Sequence, residues 1–265
     1  MKRVRLLSKL ERKIRSHDWW TFDSEGAVEG FKGPGPIVIV GDQPSTSEWR
    51  PGHPNRVLFY GTLESLNIGG AHLTHVIKRR GTASASAKQL PPDFDRHLAI
   101  LRREFRIISP VRIIALGALA ERWLRYYFPE CTNRVCGIIH FAAKPNSRTR
   151  DVATEFKRQM RAAIESPESE LRYVRARPHV KYSLTGTPKT TMRGQMFAVY
   201  ELLRLNTTDQ AGELSEPQVM KLVDAAASRG ELVTKQCPWR IWTYYFPRLV
   251  SLGLLRERTD STDLK

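Results

Sequence analysis

Apolar and polar positions along this chain follow two periods. Residues 1–16 put Leu6, Leu7, Leu10 and Ile14 on one stripe, the spacing of an amphipathic helix. Residues 37–40, IVIV, are β-branched throughout and read as a fully buried strand after the turn-rich GFKGPGP at 30–36. The Ser-, Pro- and Gly-rich residues 45–56 predict a long loop. A helix over 57–66 and a strand over 71–78 follow. Residues 79–92 are polar and small, a second loop. DFDRHLAILRREFRII at 93–108 is helical in pattern, with Pro110 just past its end. The rhythm repeats with a strand at 111–117, a helix at 118–128, a strand at 135–142, a basic loop at 144–150 and a helix at 151–165.

Four short apolar strands alternating with helices predict an α/β domain: a four-stranded parallel sheet sandwiched by helices, over residues 1–170. Residues 171–191 predict a linker. Within it, 173–191 have no clear period, and an added strand and a domain junction both fit. Residues 192–265 carry a different pattern. A helix at 193–205 precedes one at 215–230, with Ser215 as N-cap and Gly230 as C-cap. PWRIWTYYFPRLVSLGLLRE at 238–257 reads as a third helix running into a short strand. Three helices and a strand after the turn at Gly253 predict a small winged-helix-like domain.

Charge narrows the class of partner. The formal net charge is +16. Residues 186–265 hold 11 Lys/Arg against 9 Asp/Glu, whereas residues 1–185 hold 32 against 18. An excess concentrated in the first part points to a polyanion, with nucleic acid ahead of acidic lipid. No segment reaches the roughly 18 apolar residues of a membrane span. The N-terminal apolar run is too short for a secretory signal. Cys131, Cys136 and Cys237 make neither a disulfide framework nor a zinc set, so a reducing, cytoplasmic setting is expected, with no metal and no cofactor.

An acid at the mouth of a buried strand raises a chemical question. Asp42 follows IVIV and Gly41 directly, ahead of Gln43 and Pro44. A turn residue accounts for it. So does a catalytic carboxylate at the C-terminal end of a parallel strand, where open α/β sheets place their sites.

Four pieces in order carry a resemblance: GDQP at 41–44, THVIK at 74–78, IIALGALAERWL at 113–124 and KPNS at 144–147. Over roughly residues 30–165 the chain resembles the uracil-DNA glycosylase superfamily. Gly41–Pro44 matches its Gly-x-x-Pro turn. Thr74–Lys78 matches its Thr-Asn-x-x-Lys pattern except that His75 replaces Asn. Lys144–Ser147 corresponds loosely to its second motif, with Lys144 where His is frequent. The resemblance implies hydrolysis of a bond between base and deoxyribose after the nucleotide is flipped out. It implies Asp42 as the group that stabilises positive charge on the sugar and activates water, with Gln43 positioning water or base and Glu48 as a reserve acid. It also implies base contacts from His75, Phe59, Lys144 and Asn146, with Phe59 stacking ahead of Tyr60 or Trp49. DNA contacts would come from Ser45, Lys78, Ser147, Arg148 and Arg150.

The substitutions at positions 75 and 144 argue against ordinary uracil specificity and for a modified pyrimidine. In this the chain resembles bacterial phage-defence glycosylases acting on glucosylated hydroxymethylcytosine. WRIWTYYFPRLVSLGLL at 239–255 resembles the third helix and first wing strand of bacterial winged-helix proteins. Two other readings stay open: a repair enzyme for uracil or another deaminated base, and a non-catalytic DNA-binding regulator.

Overall fold

The computed structural model describes the chain except residues 1, 46–48, 82–89, 146–148, 150, 179, 187–193, 208–211, 233–244 and 260–265. The chain divides into two compact units, Met1–Arg175 and Ala176–Lys265. Among the described residues, no helix is long and apolar enough to cross a membrane.

The first unit is an α/β layer structure. Its strands are β1 (Ile37–Gly41), β2 (His72–His75), β3 (Arg112–Leu116) and β4 (Val135–Ile138). They form one sheet in the order β2-β1-β3-β4, and every pairing is parallel. Helices α1 (Lys2–Arg15), α2 (Pro54–Ser65), α3 (Phe94–Ile108), α4 (Gly117–Tyr127) and α5 (Val152–Glu165) flank it. The run Val38-Ile39-Val40 shows why a continuous apolar strand is needed. Side chains alternate faces. Val38 and Val40 enter a core with Leu7, Leu10, Leu101 and Trp123, whereas Ile39 enters another with Phe59, Leu63, Phe156 and Met160. So α1, α3 and α4 cover one face and α2 and α5 the other.

Element ends differ from the periodic reading where side chains intervene. The strand expected over 71–78 stops at His75, because the Lys78 amine turns back onto the His75 carbonyl and the Thr74 hydroxyl, at 2.5 and 2.6 Å. The strand expected over 135–142 ends at Ile138. The chain then turns, with the Ala143 amide bonding the His140 carbonyl at 2.9 Å. The helix expected from 57 begins at Pro54, because His53 caps it by accepting from the Asn55 amide at 3.2 Å.

In the second unit, β5 (Val180–Leu184), β6 (Glu213–Ser215) and β7 (Leu255–Thr259) make an antiparallel sheet in the order β6-β5-β7. Helices α6 (Gln195–Thr207), α7 (Glu216–Ser228) and α8 (Phe246–Ser251) accompany it. The stretch without a clear period holds β5. Ser215 precedes α7, and its amide bonds the Gln218 side chain at 2.8 Å. The first part of the helix expected over 238–257 lies outside the described residues. Arg177 is held by Glu216 at 2.8 Å and Glu257 at 3.0 Å, tying the start of the unit to α7 and β7.

A buried ion pair sits behind the end of β2. The Lys78 ammonium lies 2.9 Å from Glu104 of α3, whose other oxygen is 3.2 Å from His72 Nε2. Burial opposes the Glu104 charge, but Lys78 and the His72 bond outweigh it and hold the carboxyl below its usual range. Burial pushes the Lys78 amine down, and Glu104 resists that. Replacing Glu104 by Gln strands the ammonium. We expect it to lower unfolding stability by about 3–5 kcal/mol in urea titration. An unchanged midpoint would show that the pair does not hold the strand end.

Candidate functional site

The strand order sets where a site can form. From β1 the chain moves to one side, to β2, and β3 then lies on the other side of β1. The crevice beyond the C-terminal ends of β1 and β3 is therefore the point where the winding reverses, the usual ligand position in open parallel sheets. A cavity of about 650 Å³ lies there. Asp42 and Gln43 come from the β1 end, Leu116–Leu119 from the β3 end and His140–Ala143 from beyond β4.

Asp42 is positioned by backbone bonds that extend the ladder past the strands. Gly41 and Asp42 carbonyls accept from the Val76 and Ile77 amides, each at 2.9 Å. The carboxylate is half-buried on the cavity wall. Gln43 also lines the cavity, its amide beside Gly81.

His75 pairs in register with Gly41, and its ring lies against that glycine. A Cβ on residue 41 would come within 2.5 Å of His75 Cδ2, so the glycine makes room for the imidazole. The ring stacks on Phe22 at 4.6 Å and meets Trp20 edge-on at 5.2 Å. Burial holds its pKa well below the ordinary value, with Lys78 and His140 adding to the effect. A neutral imidazole presents one donor and one acceptor.

His140 lines the cavity from beyond β4. Its Nδ1 accepts from the Ala142 amide at 3.1 Å, which leaves the proton of the neutral ring on Nε2. Burial lowers its pKa, and the nearby Asp42 charge opposes that. Next to these, the chain turns sharply from β3 into α4 through Gly117, at φ +87°. Leu116 at the N-cap supplies no side-chain bond to the first-turn amides of α4. That end of the helix carries partial positive charge.

A further wall is aromatic and polar. Trp49 and His53 stack at 5.8 Å, and Trp49 meets Phe141 edge-on at 5.2 Å. Arg56 pairs with Glu25 and bonds the Trp49 carbonyl at 2.8 Å. The Tyr60 hydroxyl bonds the Asp23 carbonyl at 3.1 Å.

Of the residues expected from sequence, Asp42, Gln43, Ser45 and His75 line this cavity, as do Trp49 and Tyr60. Phe59 does not. It is fully buried, packed on Phe22, Phe141 and Phe156, because the apolar stripe of α2 turns it into the core. Lys78 is not a surface contact either; its ammonium is spent on Glu104 inside the protein. Lys144 is exposed and off the cavity wall, which Ala142 and Ala143 form instead. Glu48, Asn146, Ser147, Arg148 and Arg150 lie outside the described residues.

His140, Phe22 and Trp20 were not singled out from sequence. In sequence His140 falls within the expected strand 135–142, four residues before the Lys144-Pro145 pair that matches the second motif. A lone His just past the last apolar residues of β4 was the available signal. Phe22 and Trp20 belong to no periodic segment. Among the described residues, no group of three or more His, Cys, Asp and Glu could hold a metal ion. Compared with known proteins, the chain matches no family model and no curated protein.

The buried imidazoles make stability depend on pH. His75 and His140 are shifted down, and His97, bonded through Nδ1 to the Lys78 amide, is pushed down by burial to about 4. Below the ordinary value of about 6.5, the unfolded chain takes up protons that the folded protein refuses. Stability is therefore full above that pH and falls as pH drops below it. We expect the urea midpoint to fall between pH 7.5 and 5.5, approaching about 1.4 kcal/mol per pH unit for each histidine. A midpoint that rises on acidification would contradict this.

A second expectation concerns Gly41. Gly41→Ala should displace the His75 ring, seen as altered His75 cross-peaks in NMR spectra. Spectra identical to wild type would mean the ring has other room.

Proposed function

We propose that the cavity is the active site of a cytoplasmic DNA glycosylase of the uracil-DNA glycosylase type, hydrolysing the bond between a flipped pyrimidine and its deoxyribose. The observation that carries this reading is the convergence of Asp42 with two neutral imidazoles at the winding-reversal point of the sheet. Breaking the bond leaves its electron pair on the base and positive charge on the sugar. Asp42 would stabilise that charge and take a proton from the attacking water. Gln43 would orient the water. The Nε2 proton of His140 would bond the departing base, where negative charge grows. His75 would read the base edge. Phe22, Tyr60 and Trp49 on the cavity wall offer aromatic faces for the base, the role first given to Phe59.

The favoured substrate is a modified pyrimidine such as a glucosylated hydroxymethylcytosine. Two features support it: the volume of the cavity, in the range of sites that enclose sizeable ligands, and the presence of His53, Asn55 and Arg56 on its wall. An abasic site left in phage DNA would block its copying, consistent with a defence role. For residues 192–265 we propose a winged-helix-like module that holds DNA. Among the described residues, the order helix, strand, helix, helix, strand from α6 to β7 supports it, although the central strand β5 precedes the first helix.

The test is abasic-site formation on plain, uracil-containing, hydroxymethylcytosine and glucosylated-hydroxymethylcytosine DNA. We expect release only from modified DNA, with Asp42→Asn slower by about 10²–10⁴-fold. Release from uracil DNA alone would assign the protein to repair. No release from any substrate, with DNA binding intact, would leave a non-catalytic DNA-binding protein.

A further inference from the structure

Helices α1 and α3 pack side by side in opposite directions, and a cationic hollow lies at each end of the pair. At one end Lys2, Arg3 and Leu6 of α1 meet Arg103, Arg106 and Ile107 of α3 around about 530 Å³. Four of these six residues are cations and none is an acid. At the other end His17, Trp19 and Trp20 meet Arg79, Arg80 and Arg96 around about 550 Å³. Asp18 and Asp93 share this second hollow, but Asp93 is occupied by Arg79 at 3.4 Å and His97 at 3.5 Å.

The helical period joins the two hollows. Lys2, Leu6, Lys9 and Lys13 form one exposed stripe on α1, at spacings of four, three and four residues. Arg96, Ala99, Arg103 and Arg106 form an exposed stripe on α3, at spacings of three, four and three. Lys2, Lys9, Lys13, Arg96, Arg103 and Arg106 have no acidic partner among the described residues. The second hollow also shares Trp20 and Arg80 with the wall of the large cavity.

We propose that the α1–α3 face is a phosphate track that carries DNA away from the cavity toward the opposite end of the sheet. The inference rests on the reading of the cavity as a DNA site for the identity of its occupant. Three observations favour nucleic acid over a lipid surface. The hollow at one end of the track shares Trp20 and Arg80 with the cavity wall. It is as long as α1, whose 14 residues span about 20 Å, the length of about six phosphates along one strand. Finally, α1 has no apolar face to insert into a bilayer, because Leu7, Leu10 and Ile14 are buried in the core and of its leucines only Leu6 is exposed.

The experiment is binding of unmodified duplex DNA of about 30 base pairs, long enough to overrun the track, between about 50 and 200 mM salt. The variants are Arg103→Glu with Arg106→Glu, and Arg103→Lys with Arg106→Lys. Both residues are exposed, and thermal melts check that each variant folds. Vesicles rich in phosphatidylserine serve as the alternative polyanion. We expect the Glu pair to lose affinity for DNA by about tenfold or more and to flatten the salt slope by about two. The Lys pair should keep both. Unchanged affinity and slope in the Glu pair would overturn the track. Loss of vesicle binding with DNA binding unaltered would assign the face to lipid and overturn it equally. Failure of the glycosylase reading shows up separately, as intact DNA binding with no abasic sites.

Discussion

A lysine ammonium buried against a glutamate carboxylate is the contact on which the geometry of this site depends. Charges are not left inside a protein without a partner, so Lys78 and Glu104 must meet, and their meeting brings α3 against the end of β2. The same ammonium holds the Thr74 hydroxyl and the His75 carbonyl. That ends the strand at His75 and fixes the backbone from which its imidazole projects. The ammonium also places positive charge behind the imidazole, which helps to keep the ring neutral.

The parallel ladder does the rest of the positioning. Gly41 lies in register with His75, so the first residues past β1 stand beside the last residue of β2. Reversal of the winding between β1 and β3 opens the crevice into which Asp42 and the start of α4 reach. His140 arrives from β4, two strands away from β1. Each group is held by a rigid element or a short bonded turn, which suits a site that must present a carboxylate and two imidazoles in fixed orientation. More than half of the basic excess of the first part of the chain lies on α1 and α3. The cationic faces of the two helices and the Asp42, His75 and His140 side chains of the cavity therefore occupy different surfaces of the same unit.

The fold was largely legible in the sequence, and the site only in part. The strand at 37–40 and the helix at 93–108 follow from periodicity, since a strand covered on both faces must be apolar throughout and a covering helix must be amphipathic. Asp42 was legible because it breaks the pattern, an acid directly after a buried strand. Phe59 was misplaced because an aromatic residue beside a loop looks the same in sequence whether it faces a cavity or a core. Lys78 was misplaced because its partner lies 26 residues away on another element. His140 is not legible, because a turn that uses an imidazole as its hydrogen-bond acceptor has no periodic signature.

By itself the sequence determined the alternation of strands and helices, the parallel class of the sheet, the basic character of the first part of the chain and the acid that follows β1. These are local or summed properties, set by the period of apolar positions and by counts of charge. Only the tertiary structure decided which residues share the cavity. The strand order 2-1-3-4 is set by packing between segments far apart in the chain, and it alone brings His75 and His140 to the two sides of Asp42. Burial likewise depends on distant neighbours. It turned Lys78 from a surface cation into an internal one, and it left the His75 and His140 imidazoles neutral.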